Sequence, residues 1–347
     1  MNRSGRAIAT ILSAVGVAGA LAACGGSGGA AAESGGSEPV TLTLYNAQHE
    51  DLMKAVVEGF TEKSGIKVEF RSGDDSELAN QIVQEGKASP ADVFVTENSP
   101  SVQVVADAGL LAPLDKDTLA QVPDKYRPAS GDWTGFAGRS TVLAYNPDLI
   151  SEADLPASMM DLANPEWRGK VGFPPGGADF QAIVGAVLEL RGEDATRTWL
   201  QGLADGKAIY QGNTAVMQAV NEGQIPVGII YHYYWYKDQA ESGAKTGHVK
   251  LHYFKNQDPG AFVSVSGAGV LASSKHPKEA QQFVNYLTSA DGQRRLAEST
   301  ALEYAVANGA TSADVLPPLD TLDAPTVDPG ALNGPKVIEL MQKVGLL

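Results

Sequence analysis

Alternating apolar and polar side chains mark the first strand of this chain, at residues 40–45, and a helical spacing of apolar residues follows directly. Leu52, Val56 and Phe60 fall on one face of that helix, which Gly65 ends. A strand, a helix and another strand come next, with predicted bounds 66–70, 78–85 and 92–95. This order predicts a parallel sheet with right-handed crossovers.

The second half of the chain repeats the pattern. Its predicted strands lie at 141–145, 169–173 and 225–230, and its predicted helices at 179–190 and 214–222. The chain is therefore predicted to be an α/β protein. By length, the roughly 300 residues that follow residue 39 favour two domains or lobes.

Two polar residues follow predicted strands of the first half. His49 comes shortly after the first strand, and Glu97 comes directly after the third. Ligands of open α/β sheets bind outside the carboxyl ends of the strands, so this shared position favours a common site. Taken singly, the histidine is explained as a helix-entry residue and the glutamate as a solvated loop charge.

A run of aromatic residues, Tyr231-His-Tyr-Tyr-Trp-Tyr236, begins where the strand predicted at 225–230 ends. Phenolate oxygens are hard anionic donors, which suit ferric iron. The alternative is an aromatic face of a core element with its hydroxyl groups turned to water. Neighbouring strand residues face opposite ways, so Tyr233 and Tyr234 reach one ion only if the chain has left the strand.

Together these residues offer one imidazole, one carboxylate and two phenolates. The three anionic donors match the charge of Fe³⁺ and lower the cost of taking it out of water. No sulfur ligand competes, because the only cysteine of the chain is Cys24. His232 is a weaker candidate, because its side chain is expected to point away from that of its neighbours.

A Gly176–Gly177 turn precedes the helix predicted at 179–190. Backbone N–H groups at a helix start are open, so this turn is a candidate anion site. An ordinary strand-to-helix turn explains the same residues.

The N-terminus resembles a bacterial lipoprotein signal. Residues 1–23 contain a short basic start and an alanine-rich apolar stretch, and Leu21-Ala-Ala-Cys24 resembles a lipobox whose cysteine becomes lipidated. Residues 24–39 contain the glycine- and serine-rich composition of a flexible linker. We therefore expect an extracytoplasmic protein anchored to the cell membrane through Cys24.

Charge and motifs exclude several classes of function. A formal net charge of −15 argues against nucleic acid and anionic lipid as partners. The chain has no Gly-x-Ser-x-Gly elbow, His-Glu-x-x-His helix or P-loop, so an enzyme is not expected. Gly267–Ala272 superficially matches a dinucleotide fingerprint, but a tight turn at the entry of a helix is the better interpretation.

Several motifs in order resemble the ferric-ion-binding proteins, the extracytoplasmic substrate-binding components of iron ABC importers. They are Tyr45-Asn-Ala-Gln-His49, Ser89-Pro-Ala-Asp-Val-Phe94, Gly138-Arg-Ser140, Asn213, Tyr233-Tyr-Trp235 and Asp258-Pro-Gly260. The resemblance covers most of the chain from residue 41 to residue 340 and implies that His49, Glu97, Tyr233 and Tyr234 bind Fe³⁺.

The resemblance also implies a synergistic anion, phosphate or carbonate, which completes the coordination of the iron. Gly177, Ala178 and Asn213 agree with the family at this anion site. Three other positions depart from the family: Gly176 replaces a serine, Tyr231 an asparagine and Asn98 a glutamine. The identity of the anion is therefore open, and Tyr231 is a candidate for a further oxygen ligand.

The fold implied is the two-lobed periplasmic-binding-protein type, with two crossovers between the lobes and the ligand cleft between them. With crossovers near Phe136 and Phe262, lobe 1 comprises 40–136 and 263–318, and lobe 2 comprises 137–262 and 319–347. A membrane permease is the implied partner, and the protein is expected to be monomeric.

The main alternative is a binding protein for a small anion or another organic solute on the same scaffold. It is supported by the Gly176–Gly177 turn, Asn213 and Arg139, but it does not need His49 or the two phenols. An extracytoplasmic enzyme is the weaker alternative.

Overall fold

One mixed β-sheet runs through the molecule. The computed structural model describes residues 40–347, so the predicted signal segment, Cys24 and the linker lie outside the described residues. The sheet order is β2-β1-β3-β9-β5-β7-β6, with β10 and β8 paired to β5 and β4 paired to β9. The strands are β1 (Thr41–Asn46), β2 (Lys67–Ser72), β3 (Val93–Val95), β4 (Leu111–Ala112), β5 (Trp133–Tyr145), β6 (Val171–Gly172), β7 (Val227–Tyr231), β8 (Lys250–His252), β9 (Val263–Leu271) and β10 (Tyr304–Ala305).

Helices connect most of these strands. They are α1 (Glu50–Ser64), α2 (Asp75–Glu85), α3 (Ser99–Asp107), α4 (Lys116–Ala120), α5 (Ala178–Gly206), α6 (Asn213–Asn221), α7 (His232–Glu241), α8 (Pro277–Thr288), α9 (Ala290–Glu298) and α10 (Gly334–Lys343). Gly192 interrupts α5 with a left-handed φ of 79°, which glycine adopts without steric cost. No helix within residues 40–347 combines the length and the apolar character needed to cross a membrane.

The first half has the parallel pairing that its sequence predicted. β1 lies between β2 and β3 and is parallel to both, with Leu44 opposite Phe70 on one side and Val93 on the other. α1 packs its apolar face on this sheet through Leu52, Val56 and Phe60, as the spacing predicted. His49 and Glu97 therefore leave the same edge of the sheet.

β5 is longer than the strand predicted at 141–145. It contains 13 residues, and all of them are buried. It pairs with β9 as far as Ser140 and with β7 from Thr141 onward, in both cases antiparallel. One strand thus belongs to both halves of the sheet. The ladder with β9 is irregular between Gly135 and Ala137, beside the crossover predicted at Phe136.

The hydrophobic core is divided between the two halves. In one half α1, α8 and α9 pack on the sheet around β1, β3 and β9. In the other, α5 packs with the C-terminal helix, where Phe180 and Val184 share a cluster with Val337 and Leu340. Leu322 joins a cluster of the first half, and the assignment of 319–347 to lobe 2 stays a prediction.

The helix-entry turn expected at Gly267–Ala272 is wrong. Gly267 and Gly269 lie inside β9, a central strand whose residues are all buried. A Cβ on Gly267 would collide with a methyl group of Val102, and one on Gly269 would press on Leu111. These glycines let α3 and β4 approach the strand closely, which is a packing role rather than a nucleotide-binding one.

Replacing Gly267 by alanine tests this packing role. We expect a loss of roughly 1–3 kcal/mol of stability, because overpacking a rigid core displaces side chains and backbone. Denaturant unfolding of the protein measures it. Gly176→Ala is the matched control, since its Cβ would meet no atom within 4 Å; equal stability of the two variants would contradict the packing role.

Candidate metal centre

The tyrosine pair is presented by a helix and not by a strand. β7 ends at Tyr231 and α7 begins at the next residue, so Tyr233 and Tyr234 lie in the first turn of a helix. Their rings lie 4.2 Å apart between centroids, at 30°. The hydroxyl oxygens of both approach one oxygen of Asp179, at 3.4 Å and 3.1 Å. The chain has therefore left the strand before the tyrosine pair, and both hydroxyl groups can reach one ion.

His49 and Glu97 meet the tyrosines at the same point. His49 Nε2 lies 3.4 Å from Glu97 Oε1, and that oxygen accepts a hydrogen bond of 3.1 Å from Tyr233 Oη. The His49 and Tyr233 rings are 5.2 Å apart. The structure therefore brings the four predicted ligand residues together.

Asp179 is a member of this cluster that the sequence analysis missed. It lies in the first turn of α5 and is 4% exposed. Besides the two phenols, its Oδ2 accepts a hydrogen bond of 2.9 Å from Asn213 Nδ2. Its Oδ1 accepts one of 2.9 Å from Asn98 Nδ2. The sequence analysis considers only the backbone of the Gly176–Gly177 turn, whereas the Asp179 carboxylate, two residues after that turn, occupies the centre of the site.

Asn98 is held in one orientation. Its Oδ1 accepts hydrogen bonds from Ser264 at 2.8 Å and from Tyr231 at 3.5 Å. The Asp179 carboxylate accepts hydrogen bonds, so the Asn98 amide faces it with its N–H group. The Tyr231 hydroxyl is directed at Asn98 and not at the tyrosine pair. Asp75 supports the same turn, because its carboxylate accepts the backbone N–H groups of Glu97 and Asn98 at 2.7 Å and 2.9 Å.

Arg139 is buried behind the tyrosine pair. Its guanidinium donates to the backbone oxygen of Glu97, pairs with Glu303 at 3.3 Å and lies 3.9 Å from the Glu97 carboxylate. It also lies 5.8 Å from the centre of the Tyr233 ring. Arg139 therefore acts as an internal counter-charge; within the described residues its Nε has no hydrogen-bond partner, and its role as an anion donor stays a prediction. Glu303, its fully buried partner, carries no sequence motif and was not predicted.

The site holds an excess of negative charge in a buried place. Burial, and then the charge of Asp179, raises the pKa of Glu97 to about 7. Burial, and then the charge of Asp179, holds the pKa of both phenols, Tyr233 and Tyr234, well above the usual value. Burial lowers the pKa of His49, but its bond to Glu303 and the nearby carboxylates outweigh this and raise it. The charge of a cation bound among these groups would outweigh these causes and favour the deprotonated forms.

Five helix N-termini meet at this cluster. Each end carries positive partial charge that stabilises nearby anionic groups. The residues at these ends are His49 before α1, Asn98 before α3, Asp179 in α5, Asn213 in α6 and the tyrosine pair in α7.

His232 takes part in different contacts. Its Nδ1 accepts the backbone N–H of Ser140 at 3.1 Å, and its ring stacks on Tyr304 with centroids 4.6 Å apart. Complete burial lowers its pKa to about 3. These contacts keep the ring neutral and engaged in the interior.

The donor set depends on phenols. Residues 40–347 contain no group of three or more His, Cys, Asp and Glu placed to hold a metal ion. Phenol oxygens would therefore have to complete any site here. A cavity of about 180 Å³ lined by His49, Tyr233, Tyr234 and Lys237 opens beside the cluster and gives it access to solvent.

Known proteins are similar to this chain in sequence and in fold. The chain is 56% identical over 306 residues to an Fe(3+)-binding periplasmic protein of Serratia marcescens, with 88% of this chain and 90% of that protein covered. Iron-bound HitA from Pseudomonas aeruginosa superposes with a TM-score of 0.83 at 45% identity, covering 89% of this chain and 100% of that one. The Trichodesmium protein IdiA (FutA), solved with iron and citrate, has a TM-score of 0.78 at 28% identity, covering 88% and 100%.

These likenesses confirm the predicted two-lobed α/β fold with its cleft between the lobes. Residues 46–294 match the family described as bacterial extracellular solute-binding proteins. This chain belongs to the bacterial extracellular solute-binding protein family.

Proposed function

We propose that this protein captures ferric iron outside the cytoplasm and delivers it to the membrane permease of an ABC importer. The observation that carries the proposal is the convergence of two adjacent phenols with His49, Glu97 and Asp179 in one buried cluster. The Serratia relative is an Fe(3+)-binding protein and the Pseudomonas relative was solved with iron bound, which supports the proposal.

Five side chains form the proposed ligand set. Nε2 of His49, the Glu97 carboxylate and both phenolates supply the donors expected from the sequence, and Asp179 adds a further oxygen. In this set two phenolates and two carboxylates face an ion of charge +3, and Arg139 offsets part of the remaining negative charge. Hard oxygen and imidazole donors of this kind suit Fe³⁺.

We further propose that Asp179 takes the place of the synergistic anion. Its carboxylate lies at the start of α5, beside the Gly176–Gly177 turn at which phosphate or carbonate was expected. It is already hydrogen-bonded by Asn98 and Asn213. An external anion would have to displace it or bind beside it against its charge. The Trichodesmium neighbour was solved with citrate, so binding of a ferric chelate is the competing possibility.

The ligands come from both proposed lobes. His49 and Glu97 lie in residues 40–136, and Asp179 and the tyrosine pair lie in residues 137–262.

Anchoring through Cys24, which would place the site outside the membrane, stays a prediction. The alternative of a small-anion binder is not favoured, because buried carboxylates at this point repel an anion. No catalytic role is proposed, and the relatives named above are binding proteins.

Removing one phenol oxygen tests the ligand set. Tyr233→Phe and Tyr234→Phe should each lower the affinity for Fe³⁺ by more than the ~10–100-fold that the loss of an outer-shell partner costs. The visible phenolate-to-iron charge-transfer band should weaken with it. Competition titration with a ferric chelator measures the affinity. Tyr236→Phe is the control on the same helix, because its hydroxyl contacts Tyr253; parent-like binding by both test variants would remove the tyrosines from the site.

Acid should release the iron. Loading requires Glu97 ionised, His49 neutral and both phenols deprotonated, so binding releases protons. The pKa of Glu97 is about 7 and that of His49 is raised, so protons compete more strongly as the pH falls through this range. Titration of the charge-transfer band from about pH 8 to about pH 4 follows the release. A band that keeps its intensity throughout would argue against these ligands.

Two substitutions of Asp179 test whether it replaces an anion. The parent should bind Fe³⁺ equally well with and without added phosphate or carbonate. Asp179→Ala should bind more weakly but recover with added anion, because the substitution opens the space. Asp179→Asn fills that space without the charge and should not recover. A parent that needs an added anion would contradict the assignment.

A further inference from the structure

Glu303 is a buried carboxylate that the ligand set does not use. It lies between α9 and β10 and is fully buried. Its Oε1 lies 3.2 Å from Nδ1 of His49, and its Oε2 accepts a hydrogen bond of 3.3 Å from Nε2 of Gln48. Arg139 pairs with it at 3.3 Å. Glu303 thus contacts two consecutive residues of the turn that carries the proposed histidine ligand.

The backbone before Glu303 adopts a strained conformation. Leu302 has φ of 54°, in the left-handed region that side chains with a Cβ avoid. Such strain persists where the surrounding structure imposes it, and it concentrates at functional sites. Here it precedes the residue whose side chain enters the interior beside His49.

Stability alone does not account for the buried Arg139–Glu303 pair. Desolvation of two ions offsets much of their attraction. Apolar residues of similar volume often stabilise a protein as much as a buried ion pair does. The positions of the contacts point to another role, because Glu303 fixes the turn at two places. Gln48 also accepts the backbone N–H of His49 at 2.6 Å and donates to Ser266 at 2.8 Å.

The contact with Glu303 favours the hydrogen on Nδ1 of His49, because Glu303 lies 3.2 Å from Nδ1, whereas Glu97 lies 3.4 Å from Nε2. The Glu97 oxygen also already accepts a hydrogen bond from Tyr233. An ionised carboxylate only accepts hydrogen bonds, so Nδ1 of His49 must donate to it. In the neutral ring Nε2 then carries the lone pair, and Nε2 is the nitrogen that faces Glu97 and the tyrosine pair.

We infer that Glu303, held by Arg139, is a positioning residue that fixes the tautomer and the ring orientation of His49 for metal binding. A carboxylate behind a metal-bound histidine orients the ring and raises its basicity. This inference rests on the proposed function for its consequence in iron affinity, but the tautomer itself is a property of the metal-free protein.

The first measurement is the tautomer of His49 in metal-free protein. ¹⁵N NMR of the ring nitrogens, recorded at alkaline pH where the ring is neutral, distinguishes Nδ1–H from Nε2–H. The parent should show the Nδ1–H form. Glu303→Met removes the acceptor at similar size, so the Nε2–H form should become populated. Glu298→Met, which removes an exposed carboxylate nearby, is the control and should leave the tautomer unchanged.

Glu303→Met leaves Arg139 without its buried partner, so this variant is open to misfolding. The double variant Glu303→Met/Arg139→Met removes both charges and serves in its place in that case. The same NMR measurement applies to it, with the same expected change of tautomer.

The second measurement is a double-mutant cycle on Fe³⁺ affinity. Loss of Glu303 should weaken binding about 10–100-fold in the parent. In a His49→Ala background it should cause no further loss, because the residue through which it acts is gone. A purely structural role predicts the same loss in both backgrounds.

An unchanged tautomer, or an equal loss of affinity with and without His49, overturns the inference. A parent that does not bind Fe³⁺ overturns the proposed function instead, and the NMR measurement on metal-free protein then still decides the role of Glu303.

Discussion

The buried positive charge of Arg139 is the constraint on which the rest of this site depends. A guanidinium keeps its charge in a protein, so a fully buried one requires partners. It finds them in Glu303, in Ser266 and in the backbone oxygen of Glu97. Because Arg139 lies on β5, the strand shared by both halves of the sheet, these partners are tied to the centre of the fold. The carboxylates around the tyrosine pair gather beside this charge.

Local patterns were sufficient to predict part of this site. His49 and Glu97 follow strands of a parallel sheet, and the carboxyl ends of such strands share one edge. The tyrosine pair follows another strand, and its concentration of phenols stands out without an alignment. Each of these signals is contained in a few consecutive residues, which is why the sequence predicted them.

Asp179 and Glu303 depend on information that no short segment contains. Asp179 enters the site because α5, α6 and α7 begin at the same place, and that convergence is a property of the packed lobe. Glu303 lies 254 residues from His49 in the chain, on a segment without regular periodicity. The sequence analysis considered Arg139 only as an anion donor, and the ion pair with Glu303 adds a second role that no local pattern indicates.

The fold shows the same division between local and distant information. Strand and helix order was predictable because apolar periodicity reports the burial of each element. The full length of β5 was not, since its first residues pair with β9 and β10, which come from distant parts of the chain. Gly267 and Gly269 seemed to form a turn because glycine is common in turns. Their actual cause is the close approach of Val102 and Leu111, which come from distant parts of the chain.

Within the proposed function, the close approach of the Tyr233 and Tyr234 rings would make the affinity for iron depend on its oxidation state. Two phenols with ring centroids 4.2 Å apart, beside buried carboxylates, resist losing both protons, because the two anions repel each other. A trivalent ion offsets that repulsion through its charge, whereas a divalent ion offsets less of it. Reduction of bound iron would therefore return protons to the phenols and weaken its attachment. Within the proposed function, the ring pair would hold Fe³⁺ more tightly than Fe²⁺, and an external one-electron reductant would release the iron without a change in pH.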